Sequence, residues 1–217
     1  MEIMLPGFSR IQPRLLWMPI EMRIDSDAIG RLVEGKVDVI GGGGSIVKVV
    51  FPGSFNPRHD GHHQMAGIAA KRLGEPVYYE ISIQNVDKPA LGSATIRKRL
   101  QQFDASENVL LTRTPLFDQK ANLFRDATFI VGADTVIRLD DAKYYQGDIA
   151  LRDQSIERLH SLGASFLVFG RLIDRKFESA KTISLSPSLR SLCQFVPETE
   201  FRIDLQSRDL RESTRRL

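Results

Sequence analysis

Five short apolar runs, separated by helical stretches, constrain the fold of this chain more than any other feature of its sequence. The runs are IVKVVF (46–51), VYYEISI (77–83), NVLLT (108–112), TFIVGAD (128–134) and SFLVFG (165–170). Each has the length of a strand and is rich in β-branched or aromatic residues. Between them, GHHQMAGIAAKRLG, SATIRKRLQQFD and residues 149–162 carry apolar residues at the helical spacings of three and four. Continuous apolar strands that alternate with helices predict a doubly wound α/β domain, whose parallel sheet is covered on both faces.

The chain changes character at the four glycines Gly41 to Gly44, a composition typical of a hinge. We therefore predict an N-terminal extension with a Gly-rich linker over residues 1–44 and one main domain over residues 45–217. Before the glycines, SDAIGRLVEG predicts a helix with Ser26 or Asp27 as its N-cap. Because this leader is too short for a core of its own, it either packs against the main domain or is the remnant of something longer.

Composition excludes several classes of protein. The chain is 42% hydrophobic and carries a net charge of +3, with its charges interspersed, which argues against disorder and against a nucleic-acid partner. Its single cysteine, Cys193, rules out an internal disulfide. The apolar run LLWMPI, interrupted by Pro19, is too short for a signal peptide or a membrane span. We expect a cytoplasmic protein that acts on small molecules and has no membrane partner.

The loop after the first predicted strand has the features of a phosphate site. In FPGSFNPRHDGH (51–62), Gly53 permits a sharp turn or the close approach of a ligand, and Asp60 is the expected helix N-cap. His59 and His62 are three residues apart and so share a face of the first helical turn. Ligands of such sheets bind beyond the carboxyl ends of the strands, where free N–H groups at helix N-termini favour anions.

The segment GSFNPRHDGH resembles the GxFxPxHxGH signature of the HxGH nucleotidyltransferase superfamily. That cytidylyltransferase-like group includes nicotinamide and nicotinate mononucleotide adenylyltransferases, phosphopantetheine adenylyltransferase and cytidylyltransferases. The resemblance implies a Rossmann-like nucleotidyltransferase fold in which His59 and His62 are catalytic. The nucleotide-binding residues that it implies in this segment are Gly53, Ser54, Phe55, Asn56 and Gly61.

Three later segments extend the resemblance. IVGADTVIRL (130–139) resembles the GAD segment of mononucleotide adenylyltransferases, which implies nucleotide contacts for Gly132 and Asp134, although Asp134 also suits a helix N-cap. SFLVFGR (165–171) resembles the next core strand and implies that Arg171 lies near ATP, the alternative being a solvated strand end. ISIQNVDKPAL (81–91) resembles the acceptor loop. There Lys88 is the candidate catalytic lysine near the phosphates and Asn85 a candidate acceptor contact, although a loop lysine is often only solvated.

Two segments depart from the family pattern. KYYQG (143–147) stands where mononucleotide adenylyltransferases carry stacking tryptophans, so Tyr144 or Tyr145 would stack on the acceptor, unless both are core anchors. LQSRDLR (205–211) is the best match to the ISSTxIR motif that holds the triphosphate. It implies that Ser207 and Arg208 bind nucleotide and that Arg211 is catalytic, with two hydroxyl groups lost. The alternative match is ISLSPSLR (183–190), with Ser184 and Arg190.

The resemblance implies adenylyl transfer from ATP to the phosphate of a mononucleotide, with nicotinamide or nicotinate mononucleotide favoured and a role in NAD biosynthesis. Mg²⁺ would be held chiefly through substrate phosphates, with no protein metal site. A homo-oligomer is compatible with the family. Adenylyl or cytidylyl transfer to another acceptor, such as phosphopantetheine, stays open, as does a degenerate nucleotide-binding protein.

Overall fold

The architecture consists of alternating strands and helices, seen in a computed structural model that describes residues 24–84, 89–173, 176–179 and 181–202. The helices are α1 (Ser26–Val33), α2 (Asp60–Leu73), α3 (Ser93–Leu100), α4 (Phe117–Leu123), α5 (Ala133–Asp140), α6 (Ile149–Ser161) and α7 (Pro187–Ser191). The strands are β1 (Val39–Gly41), β2 (Val49–Pro52), β3 (Val77–Ser82), β4 (Asn108–Thr112), β5 (Thr128–Gly132), β6 (Ser165–Phe169), β7 (Arg171–Ile173), β8 (Lys176–Glu178) and β9 (Cys193–Phe195). All five strands predicted from apolar runs are present as β2 to β6.

One sheet organises the molecule. Its strand order is β1-β4-β3-β2-β5-β6-β9, and neighbours run parallel except for β1, which is antiparallel to β4. Helices cover both faces, so the doubly wound α/β prediction is confirmed. Strands β7 and β8 form a separate antiparallel pair directly after β6.

Two layers of apolar side chains hold the helices to the sheet. On one face, buried residues of α1, α2 and α3, such as Ile29, Met65 and Ile96, pack against the strands. On the other face, α5 and α6 contribute Val136 and Ile156 to a second cluster. Because the inner strands β2 to β6 are covered on both sides, their residues are mostly apolar in succession rather than in alternation.

Residues 24–41 pack into the same fold, as the first of the two alternatives for the leader expects. In α1, Ile29 and Leu32 are 1% and 0% exposed within the core of one sheet face. Strand β1 then pairs with β4, so that Val39 lies opposite Thr112. The prediction of a boundary between residues 44 and 45 is not tested by these contacts and stays a prediction.

The N-cap predicted for α1 was wrong by one or two residues. Asp25, not Ser26 or Asp27, is the cap, and its Oδ1 accepts a hydrogen bond of 2.7 Å from the amide of Ala28. All three side chains are of capping type, and only the one that precedes the first helical residue can turn back onto these amides. Within the described residues, none of the helices is both long and apolar enough to span a membrane.

Deleting residues 1–44 is expected to lower the melting temperature by roughly 10 °C or more relative to deleting residues 1–23. The longer deletion removes the buried side chains of α1, each worth about 1.5–3 kcal/mol, and the pairing of β1 with β4. Differential scanning calorimetry of the two shortened proteins measures the effect. Equal melting temperatures would contradict it.

Candidate active site

The loop between β2 and α2 is shaped by the burial of one aromatic ring. Phe55 has a positive φ of 42° and is 1% exposed, and its ring lies directly against Gly53. A Cβ at position 53 would lie 2.6 Å from that ring, which cannot move aside because it packs against Phe51, Tyr79 and Phe103. Glycine is therefore required at position 53 to make room for Phe55.

The two histidines stand at the start of α2 and are joined by a hydrogen bond. His59 is the N-cap, so the prediction that Asp60 is the cap was wrong: Asp60 is the first helical residue. The backbone amide of His59 donates to Nδ1 of His62 over 3.1 Å, and the two ring centroids are 3.8 Å apart. Since Nδ1 of His62 accepts this bond, the neutral ring carries its proton on Nε2, which is a hydrogen-bond donor.

Burial keeps both imidazoles neutral. It is the largest cause that lowers the pKa of His62 to about 3, followed by the charges of His59, Arg171, Arg58 and His63. Burial, followed by the charge of Arg171, also lowers the pKa of His59. Near neutral pH the pair therefore acts as hydrogen-bond donors and not as proton carriers. An anion bound beside them would raise both pKa values, because it favours the protonated rings.

Arg171 supplies positive charge beside the histidines and is held by Asp134. Arg171 begins β7, and its Nε lies 3.5 Å from Oδ1 of Asp134, while Arg138 approaches the other carboxylate oxygen to 3.0 Å. A Cβ at Gly132 would lie 2.6 Å from the Asp134 carboxylate and 3.3 Å from Arg171, so glycine permits this pair. Gly132 is also the N-cap of α5, which shows that the capping alternative for Asp134 was wrong.

These groups surround a small cavity beyond the carboxyl ends of β2, β5 and β6. Its lining residues are His59, Gly61, His62, Met65, Gly132, Phe169, Gly170, Arg171 and Phe201. The space inside is about 30 Å³, enough for about two water molecules. A ligand larger than a small anionic group must extend out of this cavity across the strand ends.

The structure brings together five of the predicted site residues, namely His59, Gly61, His62, Gly132 and Arg171, and puts Asp134 in contact with Arg171. Ser54 and Asn56 are exposed on the adjacent loop, and their nucleotide contacts stay predictions. The side chain of Phe55 supports the loop from within the core, so only its backbone is available to a ligand.

The two tyrosines do not line the cavity. Both lie in the 3₁₀ turn Ala142–Tyr145, where the hydroxyl of Tyr145 donates to the carbonyl of Leu139 over 3.1 Å. Tyr145 thus behaves as an anchor, as the alternative expects. Tyr144 is 54% exposed, with Lys143 above its ring. Stacking of Tyr144 on an acceptor stays a prediction.

Five predicted site residues lie outside the described residues: Asn85, Lys88, Ser207, Arg208 and Arg211. Their roles stay predictions. The alternative segment ISLSPSLR is described and does not suit a phosphate. The amide and hydroxyl of Ser186, the N-cap of α7, both donate to the carboxylate of Asp140 over 2.6 Å. A carboxylate already occupies the position that an anion would take.

Four cavity-lining residues and one neighbour of the histidines were not predicted from the sequence. Met65, Phe169, Gly170 and Phe201 line the cavity, and the charge of Arg58 acts on His62. Phe169 and Gly170 end the predicted strand run SFLVFG, so the sequence signal for their position at the carboxyl edge of the sheet was present. Among the described residues no group of three or more His, Cys, Asp or Glu side chains is able to hold a metal ion.

A family model described as "Cytidylyltransferase-like" matches residues 50–213 of the chain, about three quarters of its length. The match covers all but the first residue of β2, the histidine loop, β5, Arg171 and the last described residues. No curated protein matches the sequence.

Replacing Gly53 by alanine is expected to destabilise the protein by about 1–3 kcal/mol, because the new methyl group overlaps the buried Phe55 ring. Gly67→Ala is the matched control. Gly67 lies inside α2 with nothing within 4 Å of an added Cβ, so alanine there should stabilise by about 0.5–1 kcal/mol. Urea unfolding of both variants measures the changes, and a neutral Gly53→Ala would contradict the packing argument.

Acid should weaken the fold through His62. In the unfolded chain His62 takes up a proton below its ordinary pKa near 6.5, whereas in the native protein, where its pKa is about 3, it stays neutral. The free energy of unfolding therefore falls as the pH falls from about 6.5 to about 3. His62→Asn does not titrate, yet its side-chain oxygen can accept from the His59 amide.

Between pH 7 and pH 5, we expect the free energy of unfolding of His62→Asn to fall by up to about 2 kcal/mol less than that of the parent. Urea unfolding at both pH values measures the difference. His160→Asn, which removes an exposed histidine of α6, is the control. An identical loss in the parent and in His62→Asn would contradict the role of His62.

Proposed function

The chain belongs to the cytidylyltransferase-like family, and from that premise we propose that it transfers a nucleotidyl group from a nucleoside triphosphate to the phosphate of a small acceptor. The family supports nucleotidyl transfer in general. The observation that carries the proposal is the neutral His59–His62 pair beside Arg171, at the carboxyl ends of β2, β5 and β6. The site therefore combines hydrogen-bond donors with one cation where a phosphate would lie.

In the proposed reaction, a phosphate oxygen of the acceptor attacks the α-phosphorus of the triphosphate. A new P–O bond forms, the bond to the bridging oxygen breaks, and pyrophosphate leaves with that electron pair. Because the attacking phosphate is anionic at neutral pH, the site needs no strong general base. The protein contributes position and stabilisation of charge on the transferring group.

Each described group has a separate part in this proposal. Nε2–H of His62 donates to an oxygen of the α-phosphate, and His59 hydrogen-bonds to a neighbouring phosphate oxygen. Arg171, which is paired with Asp134, offsets negative charge on the phosphates beside the two histidines. Lys88 and Arg211, which lie outside the described residues, are proposed to neutralise the β- and γ-phosphates.

The residues around the cavity suit a magnesium ion that would be held by the substrate. Asp134 lies beside the cavity-lining Gly132, and it is paired with Arg171 and Arg138. Such a site suits an ion coordinated mainly by phosphate oxygens and water. The ion would supply charge neutralisation on the triphosphate. Arg171 and the two histidines would orient the phosphates around it.

The finer proposal is that ATP is the donor and nicotinamide or nicotinate mononucleotide the acceptor. Its support is the resemblance of IVGADTVIRL to the corresponding segment of mononucleotide adenylyltransferases, together with the place of Gly132 in the cavity lining. Phosphopantetheine as acceptor, CTP as donor and a protein that only binds nucleotides are the alternatives that an assay must separate.

Incubation with Mg²⁺, either ATP or CTP, and one acceptor at a time tests the proposal. We expect a dinucleotide from ATP and one of the two pyridine mononucleotides, identified by mass spectrometry, with release of one pyrophosphate. Excess EDTA should abolish it. A product formed from phosphopantetheine or from CTP would support nucleotidyl transfer but overturn the finer proposal of ATP and a pyridine mononucleotide. ATP binding without a product from any combination would favour the nucleotide-binding alternative.

His62→Ala is expected to lower kcat by roughly a hundredfold or more, the scale for losing one preorganised donor to a transition state. Steady-state kinetics with the substrate pair found above measures the loss. His160→Ala, on the exposed surface of α6, is the control and should retain the parent rate. Normal turnover by folded His62→Ala would remove His62 from the mechanism.

A further inference from the structure

Arg58 immediately precedes His59, and its side chain is buried, with only 3% exposed. Both terminal nitrogens of its guanidinium group bond to the carboxylate of Glu107, with a distance of 2.6 Å for Nη1–Oε2. Nη2 also donates to the hydroxyl of Tyr79 over 3.0 Å. The guanidinium carbon lies 4.6 Å from the ring centroids of both Tyr79 and Phe103. Arg58 is thus held between two rings and a carboxylate, away from the cavity lining.

The same residue fixes the backbone of the loop through Gln102. The amide of Arg58 donates to Oε1 of Gln102 over 2.9 Å, and Nε2 of Gln102 donates to the carbonyl of Phe55 over 2.9 Å. Nη1 of Arg58 in turn donates a hydrogen bond of 2.9 Å to the carbonyl of Gln102. Two side chains therefore tie both ends of the segment 55–58 to the turn that follows α3.

This arrangement controls the next peptide along the chain. The amide of His59 follows Arg58 directly, and it is the group that donates to Nδ1 of His62. A shift of the Arg58 backbone would move this amide and break the bond. The His62 ring would then exchange its proton between Nδ1 and Nε2, because both neutral tautomers are open to an imidazole without a fixed partner.

We propose that Arg58 is a positioning residue: together with Glu107 and Gln102 it fixes the His59 peptide and so holds His62 as the Nε2–H donor. It touches no substrate and acts only through the histidine pair. Four different elements or turns meet at this one guanidinium group, from β3, α2, the turn after α3 and the turn before β4. A lysine cannot replace it, since an ammonium group lacks the planar fork that bonds Glu107 twice.

The spectroscopic test uses the free protein labelled with ¹⁵N in its histidine rings. In the parent we expect His62 to show one protonated nitrogen, Nε2, and one unprotonated nitrogen, Nδ1. In Arg58→Met and Arg58→Lys the two ¹⁵N shifts should move towards each other as the tautomers mix. Unchanged shifts in a folded Arg58→Met protein would overturn the proposal.

A control separates positioning from a general loss of stability. Ile156→Ala removes a buried side chain of α6 on the opposite face of the sheet and should leave the His62 shifts of the parent unchanged. Equal tautomer mixing in Ile156→Ala and Arg58→Met would overturn the proposal. If Arg58→Met does not fold with Glu107 left unpaired, Arg58→Met/Glu107→Leu removes both charges and must meet the same two criteria.

A kinetic test rests on the proposed function. With the substrate pair of the parent enzyme, Arg58→Lys should lower kcat by roughly 10- to 100-fold, the scale for a small misplacement of reacting groups. KM for the triphosphate should change much less. A parent protein without turnover would overturn the proposed function alone, because the tautomer experiment needs no substrate and still decides the role of Arg58.

Discussion

The pairing of β2 with β3 on one side and with β5 on the other is the constraint on which the site depends. β2 is followed along the chain by β3 and β4 towards one edge, and the chain then returns to add β5 and β6 on the opposite side. Connections from β2 and β5 therefore diverge and leave a crevice at their carboxyl ends. The histidine loop enters that crevice from β2, and Gly132 with Asp134 enters it from β5. No local motif creates this meeting, since the histidines and Gly132 are at least 70 positions apart in the sequence.

Much of the fold was predictable because its strongest signals are local. The strands β2 to β6 are apolar runs of four to six residues, and α2 and α6 begin and end within one residue of the predicted positions. Helix α3 begins at Ser93 as predicted but ends at Leu100, four residues before the predicted end at Asp104. The three-residue strands β1, β7, β8 and β9 carry too few residues for a periodic pattern. The caps of α1 and α2 were misplaced because neighbouring residues of similar chemistry compete for each position.

The candidate site divides in the same way. His59, His62, Gly132 and Arg171 were found because they fall in recognisable segments at strand ends. Arg58 was not, because its meaning depends on Gln102 and Glu107, which are 44 and 49 residues away. The neutral state of His62 was also out of reach of sequence reasoning, since it follows from burial and from charges on other elements. Residues distant in sequence determine the protonation of His62 and the contacts of Arg58, whereas local sequence patterns determine where the helices and strands lie.

The edge strands of the described sheet have a consequence for how the molecule behaves among its own copies. Both outermost strands, β1 and β9, are three residues long, while the strands they cover, β4 and β6, have five each. An unpaired strand edge offers its N–H and C=O groups to any other chain, and a short edge offers few of them. Because β1 and β9 are short, the described sheet offers few such groups at its two edges, which limits pairing with a strand of another chain.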